Sequence, residues 1–272
     1  MPRPILCLLA LLALFGQSGA AAEALPCGPY NLAYYQLGAL FYREVDGSHA
    51  GIDKDVVEEL SRRSGCRFQG VVESRVRIWD QMSKNLLDLS VSGIPTPERE
   101  QFASFIPYFQ TRNYALLRPE LSQRLSTPEA FLADGRSMVG VVKSFKHGSF
   151  YDSWLKALRE QHRVVELADF ETAVRMFKLG RVDALLALPT SLIRLLQQEG
   201  LQAQVKVMDW APKERIIHAL IVSRQRVAEA DRERLRAALR EMQADGSLYE
   251  IFKRHVGEAL ARDMQLEANH AP

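Results

Sequence analysis

The chain has 272 residues, 47% of them hydrophobic and 25% charged, with 35 Lys and Arg against 33 Asp and Glu and a formal net charge of +2. These proportions exclude a disordered tail and a membrane-embedded bundle, and the balanced charge carries no electrostatic footprint for nucleic acid. The length accommodates one large domain or two modest ones.

Residues 1–22 (MPRPILCLLALLALFGQSGAAA) place Arg3 before an apolar run from Ile5 to Phe15 and end in Ala20-Ala21-Ala22. As a helix that run rises only about 16 Å, against a hydrocarbon core of about 30 Å, so it is too short to span. It reads as an export signal cleaved after Ala22, which would deliver the mature protein to the periplasm. Cleavage removes Cys7 and leaves Cys27 and Cys66. In an oxidising compartment these form a disulfide or stay as two buried thiols, and sequence leaves both open.

Tyr30–Tyr35 reads as a strand, Asp46-Gly47-Ser48 as a turn, and Gly51–Gly65 as a helix with Val56, Val57 and Leu60 on its apolar face. Cys66–Val72 is a second strand, Arg77–Asn85 a second helix and Leu86–Ser92 a third strand, the alternation of a mostly parallel sheet. The alternation restarts with a strand at Met138–Val142, a helix at Phe150–Gln161 and a strand at Val164–Leu167. A helix at Phe170–Leu179 and a strand at Val182–Ala187 complete it. Asn113–Arg118 and Ile216–Ser223 are strand-like and are expected to carry the chain across and back. Helices at Val227–Ala244 and Leu248–Val256 close the chain. The expected organisation is α/β in two lobes, 28–114 plus 219–260 and 115–218, with 261–272 as a frayed tail. Two crossings between two lobes imply a cleft, where small molecules usually bind.

GIDKDVVEELSRRSGCRF (Gly51–Phe68), LLDLSVSGIPTPERE (Leu86–Glu100), FIPYF (Phe105–Phe109), VGVVKS (Val139–Ser144), GRVDALLA (Gly180–Ala187) and DGSLYEIFKRHVG (Asp245–Gly257) follow one another in this order. In order and spacing they resemble periplasmic solute-binding proteins of family 3, the polar amino acid type. The resemblance runs from about Tyr30 to Gly257. It implies a type II clamshell, each lobe a mostly parallel sheet flanked by helices. It also implies a monomer that closes on a small anionic or zwitterionic solute and delivers it to an ABC permease. No cofactor or metal is expected.

Arg99 matches the family arginine that grips a ligand carboxylate, a task suited to a planar guanidinium with two parallel donors. The alternative is a surface Arg paired with Glu98 or Glu100. The loop before it is one residue shorter than the family pattern, and Pro95, which has no N–H, stands near the expected hydroxyl. Ser92, Gly93 and Thr96 remain as candidate donors. Tyr35 and Phe41 fall where relatives stack aromatics on the ligand. In the second lobe Ser144 and Lys146 stand at a helix start that favours an anion, Lys146 being otherwise a solvated cap. Arg75 precedes the second helix, either lining the cleft or solvated. Leu188 occupies the position where amino-acid binders carry an Asp for the ligand ammonium. Leaving a buried ammonium unpaired costs roughly 3–5 kcal/mol, so the solute is expected to be a carboxylate-bearing anion. No metal-binding His spacing, G-x-S-x-G elbow or P-loop occurs. Some proteins of this fold are cyclohexadienyl dehydratases, which use an acid beside the stretch that here reads SFKHGSF (Ser144–Phe150). That stretch has none. A clamshell turned sensor or partner-binding protein, no longer serving transport, is the other alternative.

Overall fold

The computed structural model describes residues 26–199 and 201–267. The expected export segment, residues 1–22, lies outside them. The first sheet contains β1 (Tyr30–Tyr34), β4 (Phe68–Val72), β5 (Leu89–Gly93), β6 (Ala103–Thr111) and β12 (Ile216–Ser223), in the order β4-β1-β5-β12-β6. The second contains β7 (Tyr114–Leu117), β8 (Val139–Val142), β9 (Val164–Leu167), β10 (Ala184–Ala187) and β11 (Lys206–Met208), in the order β11-β7-β10-β8-β9. In each sheet one strand, β12 or β7, runs against the other four. A hairpin of β2 (Tyr42–Arg43) and β3 (His49–Ala50) stands apart.

Helices α1 (Ile52–Ser64), α2 (Arg75–Ser83), α8 (Glu229–Ala244) and α9 (Ser247–Met264) accompany the first sheet. Helices α3 (Pro119–Ser122), α4 (Pro128–Asp134), α5 (Gly148–Glu160), α6 (Phe170–Lys178) and α7 (Pro189–Glu199) accompany the second. Helix α1 ends on Gly65 at a left-handed φ of 70°, with Arg62 and Arg63 in its last turn, complementing the helix dipole. Its inner face buries Ile52, Val56, Val57 and Leu60, but also Asp53. Helix α2 begins two residues earlier than the sequence suggests, because the Ser74 hydroxyl accepts from the Arg77 N–H and makes Arg75 the first helical residue. Helix α7 was not expected; Pro189 at its first position supplies a preset φ.

The segments expected to cross between lobes lie inside the sheets, as β7 and β12. The chain crosses in residues 112–113 and 209–215, and Arg112 Nε of the first crossing donates to Asp209 of the second at 3.0 Å. Residues 261–264 are not a frayed tail. Helix α9 kinks at Gly257, φ 77°, and continues, so that Ala261 and Met264 are fully buried. Cys27 and Cys66 are joined by a disulfide that ties the chain ahead of β1 to the segment ahead of β4. Among the described residues no helix is long and apolar enough to cross a membrane.

Candidate functional site

The two sheets face each other through the loops that follow their parallel strands, the place where open α/β sheets leave a crevice. From the first sheet come the residues after β1 and β5, and from the second those after β8 and β10. The lobes touch there. The Ala39 N–H donates to the Thr190 carbonyl at 3.0 Å, and Gly38, at φ 53°, packs directly on Ser191.

Arg99 sits on a short 3-10 turn (Arg99–Gln101), its N–H bonded to the Thr96 hydroxyl at 3.3 Å. Its guanidinium carbon lies 3.7 Å from the centre of the Trp79 ring, stacked for a cation–π contact. Nη1 donates to the Ile94 carbonyl at 2.8 Å, and Nη2 crosses to the second lobe and donates to the Ser144 carbonyl at 2.9 Å. Burial, followed by the nearby Arg75 charge, pulls the Arg99 guanidinium down to about 9.

Arg75 turns inward from the start of α2. Its guanidinium carbon is 3.6 Å from the Tyr35 ring centre and 5.6 Å from that of Phe145 in the second lobe. Nη2 donates to the Tyr35 hydroxyl at 2.6 Å and to the Ser92 carbonyl at 2.9 Å, while Nη1 is buried without a partner. Burial lowers the Arg75 pKa, and raises that of Tyr35 to about 12 against the pull of the guanidinium. Both arginines are thus held by neutral oxygens at the lobe junction.

Behind Arg75 lies a closed polar network. Ser92, at a left-handed φ of 50°, donates from Oγ to the Asp53 carboxylate at 2.8 and 2.9 Å. Tyr108 donates its hydroxyl to Asp53 at 2.6 Å and accepts the Ser92 N–H at 2.9 Å. Loss of hydration raises the Asp53 carboxyl to about 6, although Tyr108 and Ser92 favour its charged form. His218 Nδ1 lies 3.4 Å from the Ser92 carbonyl and Nε2 3.1 Å from the Thr111 hydroxyl. A carbonyl can only accept, so Nδ1 carries the proton of a neutral ring. Burial holds His218 down at about 3.

On the second lobe Ser144 is left-handed at φ 64°, which aims its carbonyl at Arg99. His147 is buried, 3.2 Å from Asn113 Oδ1, and burial lowers it to about 3. Leu37 of the first lobe, Asn113 of the crossing and Phe145, His147, Phe170, Leu188 and Ser191 of the second lobe surround a space of only about 10 Å³, which neither Arg75 nor Arg99 lines. That holds at most one water.

The structure therefore brings together Tyr35, Arg75, Arg99 and Ser144 at the lobe junction, with Thr96 supporting Arg99. Ser92 and Gly93 are not cleft donors. Ser92 spends its hydroxyl on Asp53 and its N–H on Tyr108, and Gly93 lies within β5 opposite Ala219 of β12 rather than in the loop that follows. Phe41 stacks on Tyr34, centroids 4.5 Å apart, away from both arginines. Lys146 is half-buried beside His147, and Leu188 is 2% exposed. Trp79, Phe145 and Asp53 escaped the sequence reading. Trp79 follows Arg75 by four residues on α2 and so shares its face, a signal available in the sequence. Phe145 and Asp53 are placed by tertiary packing. Asp183 accepts the Met138 N–H at 2.8 Å and serves the fold.

Two hinged α/β sheets, joined by two short crossings and presenting buried cations where they meet, define a solute-binding clamshell. The chain matches bacterial extracellular solute-binding proteins, family 3, over residues 38–258, and it belongs to that family. An ancestral arginine-binding protein bound to arginine superposes with a TM-score of 0.71 at 18% identity, covering 84% of this chain and 98% of that one. The arginine-, lysine-, histidine-binding protein ArtJ from the thermophilic bacterium Geobacillus stearothermophilus gives a TM-score of 0.73 at 17% identity, covering 86% and 99%. The ancestral amino acid-binding protein AncCDT-1, a precursor of cyclohexadienyl dehydratase, gives 0.67 at 17%, covering 84% and 95%. No curated protein sequence matches the chain.

Proposed function

We propose that this is an exported binding protein that captures a small carboxylate-bearing solute between its lobes for an ABC importer. The observation that carries this reading is the pair Arg75 and Arg99, two buried guanidiniums at the lobe junction with only neutral acceptors. Their mutual repulsion contributes to the lowered Arg99 pKa, and a carboxylate between the lobes relieves it. When the lobes part, Arg99 releases the Ser144 carbonyl and offers Nη2 to the solute. A carboxylate then replaces a neutral oxygen, a bond roughly twice as strong. With Leu188 where an acid would meet an ammonium, and Asp53 sealed behind Ser92, the site favours an organic acid over a zwitterionic amino acid.

The direct bonds between the lobes, Arg99 to the Ser144 carbonyl and Ala39 to the Thr190 carbonyl, favour a second reading, a clamshell that closes without solute and acts as a sensor or binds a partner. Calorimetry with a panel of organic acids and amino acids separates the two. Binding of a mono- or dicarboxylate that is lost in Arg99→Ala supports solute capture. Tight binding of a cationic amino acid refutes the anionic site, and silence across the panel, with lobes closed in solution, favours the second reading. Prephenate or arogenate turnover would replace both with an enzyme.

A further inference from the structure

A pocket of about 360 Å³ opens on one flank of the lobe junction and adjoins the small central space through Leu37, Phe170 and Ser191. Its size falls within the range of about 300–1,000 Å³ typical of small-molecule sites, unlike the central space. Neither Arg75 nor Arg99 lines it. The first lobe contributes the loop after β1, folded tightly by the Leu37 N–H to Phe41 carbonyl bond at 2.9 Å. The second contributes α6 and α7.

The floor is apolar. Leu37, Phe41, Phe170, Val174 and Leu195 line it, each less than a tenth exposed. The rim is cationic. Arg175 and Lys178 stand three residues apart on the exposed side of α6, Arg194 rises from α7, and Glu171 is the acid among them. The Arg194 guanidinium carbon lies 3.2 Å from the centre of the Tyr42 ring, so a cation–π contact joins the two lobes across the pocket. Ser191, in the first turn of α7, also lines the pocket, and its buried hydroxyl has no hydrogen-bond partner. A buried hydroxyl without a partner is a costly arrangement that a bound acceptor relieves.

We infer that this flank pocket is a second ligand site, built for an anion with an aromatic or apolar body. The body rests on Phe41 and Phe170, and the anionic group meets Arg175 and Lys178. Because both lobes supply walls, an occupant also favours the closed arrangement. The inference does not depend on the central arginines.

Calorimetry on the signal-free chain tests it with three probes: phenylacetate, benzylamine and acetate. Phenylacetate is expected to bind at least tenfold more tightly than either of the others. The double variant R175Q/K178Q changes exposed side chains only and is expected to weaken phenylacetate tenfold or more, while R99A, which loses one interlobe bond, weakens it less than R175Q/K178Q does. Ser191→Ala removes the unpartnered hydroxyl without adding bulk at the Gly38 contact and is expected to weaken phenylacetate as well. Phenylacetate binding no better than acetate overturns the site. So does a larger loss in R99A than in R175Q/K178Q, because that places the ligand in the central cleft.

Discussion

Arg99 Nη2 of one lobe donates to the Ser144 carbonyl of the other at 2.9 Å, so a guanidinium suited to a carboxylate is occupied by the protein's own backbone. In the proposed function a solute displaces that bond. Because the displaced acceptor is neutral, the exchange favours an anion.

Replacing Arg99 by Ala is expected to weaken carboxylate binding by more than tenfold, at least about 1.4 kcal/mol. The side chain joins lobes rather than filling either core, so the unliganded melting temperature should move by less than about 4 °C. Arg99→Lys should recover little, since an ammonium lacks the planar fork that reaches Ile94, Ser144 and the Trp79 face together. Calorimetry and a thermal melt on the three proteins provide the check, and wild-type affinity in Arg99→Ala would remove the residue from the site.

Gly38 offers a test of closure that leaves the cations untouched. A methyl group there overlaps the backbone of Ser191 and lies 2.8 Å from the Thr190 carbonyl oxygen, and the backbone is already at φ 53°. Gly38→Ala therefore keeps the lobes apart while both sheets stay folded. Small-angle scattering should show a larger radius of gyration with unchanged far-UV circular dichroism, and solute affinity should fall. An unchanged radius would mean that closure does not pass through the Gly38–Ser191 contact.

Much of this architecture is visible in residue order. The alternating Leu89-Ser90-Val91, the apolar run at Ala184–Ala187 and the glycine stop at Gly65 follow from local periodicity and backbone freedom. The position of Arg99 beside the lobe junction is implied by the family resemblance of the segment after β5, not by local periodicity. The partners were not visible. Arg99 is held by the carbonyls of Ile94 and Ser144, and every residue carries a carbonyl. Asp53, in the first turn of a helix with acids and bases on its outer side, reads as a solvated dipole partner. Only the convergence of β5 and β6 on α1 brings Ser92 and Tyr108 to it. Gly93 and Ser92 read as ligand donors from the family resemblance, whereas β5 extends through both and turns the Ser92 hydroxyl onto Asp53.

The Cys27–Cys66 bond closes a loop with a sequence separation of 39. Chain entropy assigns such a crosslink about 4 kcal/mol. Reduction, or Cys27→Ser with Cys66→Ser, is expected to lower the urea midpoint and to steepen the slope, because the unfolded chain without the crosslink exposes more surface. Both sulfurs lie in lobe 1, so solute affinity measured well below the midpoint should be unaffected. Equal stability of the reduced and oxidised protein would show that the crosslink adds nothing to the fold.

Three buried groups make stability depend on pH in opposite senses. Asp53 is raised to about 6 in the folded protein, so between the ordinary carboxylate range and pH 6 the native state holds a proton that the unfolded chain has lost. Its contribution is complete below the unfolded pKa and disappears as pH rises through about 6. His147 and His218 are lowered to about 3, so their contribution is present above the unfolded value and is lost as pH falls. Each fully mismatched group gives a slope of about 1.4 kcal/mol per pH unit. From about pH 6 down to 4.5 the two histidines therefore outweigh the one carboxyl, and stability should fall by about 1.4 kcal/mol per unit. Asp53→Asn removes the opposing group and should roughly double that slope, whereas His218→Gln should bring it near zero. Urea denaturation at several pH values gives the slopes directly, independent of each variant's absolute stability. A wild-type slope that rises toward acid would mean that Asp53, not the histidine pair, governs the acid limb.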